Sequence, residues 1–164
     1  MKEVIAYKAF FEGLTNQIDN VHHEIGKEYS VEGDIEWMGN GYHMCEDPED
    51  CFFYLKPSKA KVELTLVRGF GDLYSVDTGY KAYDDRNGIA YVCRCMEVLK
   101  VFTREEIIEI GLNLIGSRLE KFIERFPLTE EEALLFKEKF KDEYTINRNL
   151  ISEKIDSYQK KLSR

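Results

Sequence analysis

Apolar and polar residues alternate over much of the first hundred positions and recur at helical spacing after that. Residues 4–11, VIAYKAFF, form a hydrophobic run with Lys8 as its only charge and read as a strand. Residues 28–37 alternate through Tyr29, Val31, Ile35 and Trp37, and the break at Gly33 predicts a hairpin or a bulge. Residues 61–67 place Val62, Leu64 and Leu66 on one face. Residues 89–102 predict a long strand with Cys93, Cys95, Leu99 and Val101 on one side and Val92, Met96 and Val98 on the other. The stretch 68–88, rich in Gly, Asp and Tyr, reads as a long loop.

From residue 103 the period changes. Thr103 with Glu106 predicts a capping box, and Ile107, Ile108, Leu112, Ile115, Leu119, Phe122, Ile123 and Phe126 follow at helical spacing. Gly111 and Gly116 predict a kink or a split in that run, and Pro127 ends it. Thr129 and Glu132 repeat the cap ahead of a stripe made by Phe136, Phe140 and Tyr144. A last helix places Ile151, Ile155, Tyr158 and Leu162 on one face. The expected fold is therefore α+β: a mostly antiparallel sheet, one short helix after Asp47 and a C-terminal helical segment. The expected division is an α+β domain over residues 1–112 and a helical hairpin over 113–164, packed on it or used for association.

The densest chemistry lies in residues 39–55, GNGYHMCEDPEDCFFYL. Gly39 and Gly41 support a tight turn, and residues 42–45 read as a short strand. Asp47 and Pro48 signal a helix start, with Glu49 and Asp50 suited to its positive end.

Composition narrows the classes. The 164 residues are 43% hydrophobic and 13% aromatic, enough for a packed core. Net charge is −8, which argues against a surface built for nucleic-acid backbone contacts. The acidity concentrates in Glu32, Asp34, Glu36, Glu46, Asp47, Glu49 and Asp50, read as a solvated face or as a patch for a basic partner. The apolar runs are too short to span a membrane. Four cysteines without a secretory pattern suggest free thiols in the cytoplasm.

The segments YKAF (7–10), GKEYSVEGDIE (26–36) and GYHMCEDPEDCFFY (41–54) together resemble an uncharacterised domain family of phages, prophages and mobile elements, with a line close to GFHACENPLDVFNYY. The resemblance covers about residues 1–110 and extends through AKVELTLVRG (60–69) and the strand at 91–101. It implies a small accessory protein and brings no activity of its own.

Three functional classes follow. The first is a protein-binding or inhibitory module, for which the acidity, small size and aromatic content speak, with a protein partner and possible homo-oligomerisation through the C-terminal helices. The second resembles ADP-ribosyltransferases, in which tyrosines sandwich nicotinamide and a glutamate supports the oxocarbenium. Lys8 on the first strand, Tyr42, His43 and Tyr54 around the turn–strand–helix unit, and Glu97 on the long strand are the candidates. The usual His or Arg of the first strand is absent, as are Glu-x-Glu and Ser-Thr-Ser patterns. The third is a structural zinc site drawn from His43, Cys45, Cys51, Cys93 and Cys95, although no standard finger spacing is present and buried cysteines commonly serve as small hydrophobes. No cofactor is expected on the leading reading. His22 and His23 read as a solvated loop pair, and residues 84–88, DDRNG, as an acidic turn.

Overall fold

A computed structural model describes residues 2–55, 61–81, 87–141, 153, 155–157 and 160. The strands are β1 (Glu3–Phe11), β2 (Glu28–Ser30), β3 (Tyr42–Cys45), β4 (Val62–Lys81) and β5 (Asn87–Val101). A 3-10 helix (Pro48–Phe53) follows β3, and helices α1 (Arg104–Leu112), α2 (Gly116–Arg125) and α3 (Glu130–Phe140) follow β5. All strand pairings are antiparallel, in the order β2-β5-β3-β1-β4. β4 also pairs with β5, so the sheet closes on itself, with Tyr7 opposite Cys45 at the β1–β3 seam. The α+β class read from the sequence is the observed one.

The stretch expected to be a loop from residue 68 is instead the distal half of β4, paired with β5 from Thr65–Val101 out to Lys81–Asn87. Its glycines serve the strand. Gly71 has φ +82° beside the register shift between Phe70 and Leu73, and a Cβ at Gly69 would lie 2.8 Å from both Cys93 Sγ and Met44 Sδ. The expected turn at 84–88 falls mostly outside the described residues. The alternation read over 28–37 yields only the three residues of β2, and residues 31–41 form a turn-rich segment held by Asn40, whose Nδ2 donates to the carbonyls of Glu32 (2.7 Å) and Asp34 (3.0 Å).

Period-two alternation gives the sheet two apolar faces. Ala6 and Phe10 of β1 join Met44, Val67, Cys93, Met96 and Val98 in a core inside the closed sheet. Tyr7, Ala9 and Phe11 face outward onto a second core, with Phe52, Val62, Leu64 and the helices. The helical run splits at residues 113–115, and both capping boxes form as the sequence predicts. Arg104 ties the helix starts together, bonding Glu132 and the Pro127 carbonyl at 2.6 Å. Phe122 is the centre of the outer core, with Phe52, Phe126 and Phe136 at ring-centroid distances of 4.9, 5.1 and 5.7 Å. Ile155 is buried in the same core, which is continuous across residues 112 and 113. Tyr144, Ile151, Tyr158 and Leu162 lie outside the described residues. No described helix is long and apolar enough to cross a membrane.

Candidate functional site

A cavity of about 400 Å³ opens beside the β1–β3 seam, walled by β1, β3, the 3-10 helix and the loops at 16–19 and 37–41. Lys8, Tyr42, His43 and Tyr54 all line it. Four residues from distant parts of the chain thus meet because the sheet closes.

Lys8 shares its strand face with Ala6 and Phe10, so its stem runs toward the interior core. Its Nζ donates to the His43 carbonyl at 3.0 Å and lies 5.4 Å from the Phe10 ring centroid. Burial lowers its pKa, and the neighbouring Cys51, Cys45, Cys93 and Asp19 only partly counter this. Among the described residues no carboxylate pairs with it.

His43 is held as a wall, not as an acid–base group. Its Nε2 accepts the Met38 N–H at 3.0 Å, which makes Nδ1 the protonated nitrogen, and Nδ1 donates to the Gly41 carbonyl at 3.0 Å. Burial, then the charge of Lys8, lowers its pKa. With both nitrogens engaged, His43 offers no lone pair to a metal or a substrate. The Trp37 ring packs on it at 5.4 Å and meets Tyr54 edge-on at 5.9 Å. Gln17 Nε2 donates to the Tyr54 carbonyl at 2.7 Å, which pins the 16–19 loop to the end of the 3-10 helix. Ile18 and Met38 are each 74% exposed, and both belong to the cavity lining.

Glu97 does not reach the cavity. It pairs with Arg68 at 2.7 Å, and Glu28 (2.8 Å) and Glu3 (3.6 Å) converge on the same guanidinium. The cysteines also disperse. Cys45 and Cys51 line the cavity with their thiols in contact, Cys93 donates to the Tyr42 carbonyl at 3.6 Å, and Cys95 is half-buried elsewhere. Burial and Cys45 raise the Cys51 pKa, which keeps its thiol protonated. Among the described residues no group of three or more His, Cys, Asp or Glu side chains is placed to hold a metal.

Part of the acidic patch has a different role from the solvated one expected. Arg118 of α2, 4% exposed, enters the EDPED motif with Asp50 at 3.0 Å, Glu49 at 3.5 Å and Asp47 at 3.9 Å. Asp47 makes no side-chain cap to the helix it precedes. Glu32, Asp34, Glu36 and Glu46 stay exposed. His23 is another departure. It is 5% exposed, with its ring 4.4 Å from Tyr29 and 5.2 Å from Phe10, so it fills the mouth of the inner core while His22 remains at the surface.

Sequence reasoning missed Arg118 and the 16–19 loop. Arg118 sits in a helical run read only through its apolar residues, and the loop's only signals were Gly13 and Asn20, both observed at positive φ.

Comparison with curated proteins and with solved structures gives no match. A family model described as a domain of unknown function (DUF7666) matches residues 4–103, which hold the five strands apart from Glu3 at the start of β1 and the whole cavity lining, and the chain belongs to that family.

Proposed function

We propose that the chain is a small-molecule-binding module whose cavity takes a planar organic ligand against the Trp37–Tyr54 wall. The observation that carries this reading is the Lys8 amine, half-buried beside an aromatic cavity and, among the described residues, without a carboxylate partner. A buried polar group that is incompletely bonded is costly, and a ligand that bonds it recovers that cost. The cavity volume also falls in the range that small ligands use. A transferase reading is not proposed, because Glu97, its required acid, is bound to Arg68.

Trp37 is the single tryptophan and reports on the cavity directly. Benzoate, benzyl alcohol and indole, titrated separately, are expected to include at least one that perturbs Trp37 fluorescence saturably, with the effect lost in Tyr54→Ala. Linear, non-saturating responses to all three, equal in wild type and variant, would remove the reading.

A second reading, a protein-binding accessory module of the phage type, is favoured by the exposed Ile18 and Met38 at the cavity mouth. A pulldown partner lost on joint Ile18→Ser and Met38→Ser replacement would support it. Retention of the partner by that variant would count against it.

A further inference from the structure

Lys8 supports a more specific reading, which rests on the cavity being a ligand site. An ammonium at this position would present three N–H donors, and the described residues offer it one acceptor, the His43 carbonyl at 3.0 Å. A neutral amine satisfies that acceptor with one N–H and keeps a lone pair. Among the described residues no carboxylate pairs with Lys8, which removes the usual reason for a lysine to stay protonated when it is drawn away from solvent. We propose that Lys8 captures carbonyl compounds, its Nζ forming a reversible imine with an aldehyde or ketone seated against Trp37 and Tyr54.

The direction of the Lys8 pKa agrees, since burial lowers it and enlarges the amine fraction at neutral pH. Cys51, the nearby competitor, is held as a thiol by its own burial and is the poorer nucleophile. The exposed Lys27 is in the opposite state: bonded to Glu24 at 2.8 Å, it has its pKa raised by that contact.

The step balances without a cofactor. The Nζ lone pair forms a bond to the carbonyl carbon, the carbonyl π pair moves to oxygen, and a proton passes from nitrogen to oxygen to give a carbinolamine. Protonation of that hydroxyl lets water leave as the nitrogen lone pair closes the protonated imine. One amine, one carbonyl and one proton thus give one iminium and one water.

Benzaldehyde is the probe. The full chain is incubated with it at neutral pH in the presence of sodium cyanoborohydride, which reduces the iminium to a stable secondary amine. Intact mass and peptide mapping follow. The expected result is a dominant adduct on the peptide that carries Lys8, formed ahead of any labelling at the exposed lysines. Lys8→Met, with its fold checked by circular dichroism, is expected to lose that adduct while surface labelling continues. Wild-type protein labelled only on exposed lysines overturns the proposal, and that result needs no variant to fold. Benzyl alcohol separates the two readings: saturable binding of the alcohol without a Lys8 adduct sinks carbonyl capture and leaves the binding module standing. No Lys8 adduct from benzaldehyde, together with no saturable binding of benzoate, benzyl alcohol or indole, removes both.

Discussion

His43 shows how one residue type can be recognised in sequence while its role is not. A polar histidine beside two glycines and a cysteine has the composition of a ligand or an acid–base group. The fold instead gives its two nitrogens to the backbone at Met38 and Gly41, and its face to Trp37. This bonding sets a pH response. The folded-state pKa is depressed by burial and then by Lys8, so the stabilisation from neutral His43 is present above its ordinary value of 6.5 and is lost as pH falls through the lower folded value. Protonation replaces an acceptor with a donor opposite the Met38 N–H, which releases the 37–39 turn. Trp37 fluorescence is expected to change on acidification with a midpoint below pH 6.5. His43→Gln is expected to flatten that transition, while a transition unchanged in the variant would assign it to another group. His23 also has a lowered pKa, through burial, but its ring partners are Phe10, Tyr29 and Tyr42, so it does not reach the same reporter.

Among the elements, α1 is the one whose composition misleads most. Gly111 reads as a weak point in a helix, and exchange to alanine ordinarily gains about 1 kcal/mol in a helix interior. Here a Cβ would lie 2.5 and 2.6 Å from two atoms of the Phe122 ring and 2.9 Å from Phe136. Those rings are stacked at 5.7 Å with an interplanar angle of 25° and are fully buried, so they cannot yield separately. Overpacking of this kind costs about 1–3 kcal/mol, so it outweighs the propensity gain. Gly111→Ala is therefore expected to lower the denaturant midpoint, and an unchanged or higher midpoint would show that the α1–α2 contact adjusts freely. The same logic explains which elements were legible. Strands with clean alternation and both capped helix starts could be read from local pattern alone. The part of β4 beyond residue 67 could not, because Gly69, Gly71, Asp72, Asp77 and Gly79 carry turn chemistry locally and become strand residues only through pairing with β5. The gap between α1 and α2 was signalled by its glycines, yet the contact that needs Gly111 joins residues eleven positions apart around a turn and leaves no periodic trace.

At the scale of the whole molecule, the motif at 46–50 connects the sheet to the helices through charge. Asp50 and Arg118, each 4% exposed, lie 68 positions apart, and no local pattern links them. The motif itself was legible, but its partner was not. Burial raises the Asp50 pKa to about 6, opposed by Arg118 and reinforced by Glu49 and Asp47. Among the described residues, three carboxylates face one guanidinium, which leaves the cluster with more negative charge than that cation balances. Because the folded value exceeds the ordinary 3.8, the linked stabilisation is present in full below about pH 4 and is lost as pH rises through about 6. The two histidines act in the opposite sense on acidification, and Glu106, its pKa lowered by Lys100, adds a loss at more acidic pH. A raw stability profile therefore mixes opposing terms. The difference between wild type and Asp50→Asn cancels the others. That difference, wild type minus variant, is expected to grow by about 2 kcal/mol as pH falls from about 7 to about 4, most of what the displacement from 3.8 to about 6 gives at 1.36 kcal/mol per pKa unit. Its absolute sign at any one pH includes the lost Arg118 contact, so the slope is the readout. Urea melts at three or four pH values measure it, and an NMR titration of the Asp50 carboxyl gives the midpoint without a variant. Parallel melting curves, or a carboxyl titrating near 3.8, would mean that Arg118 outweighs burial and that the cluster balances its charge after all.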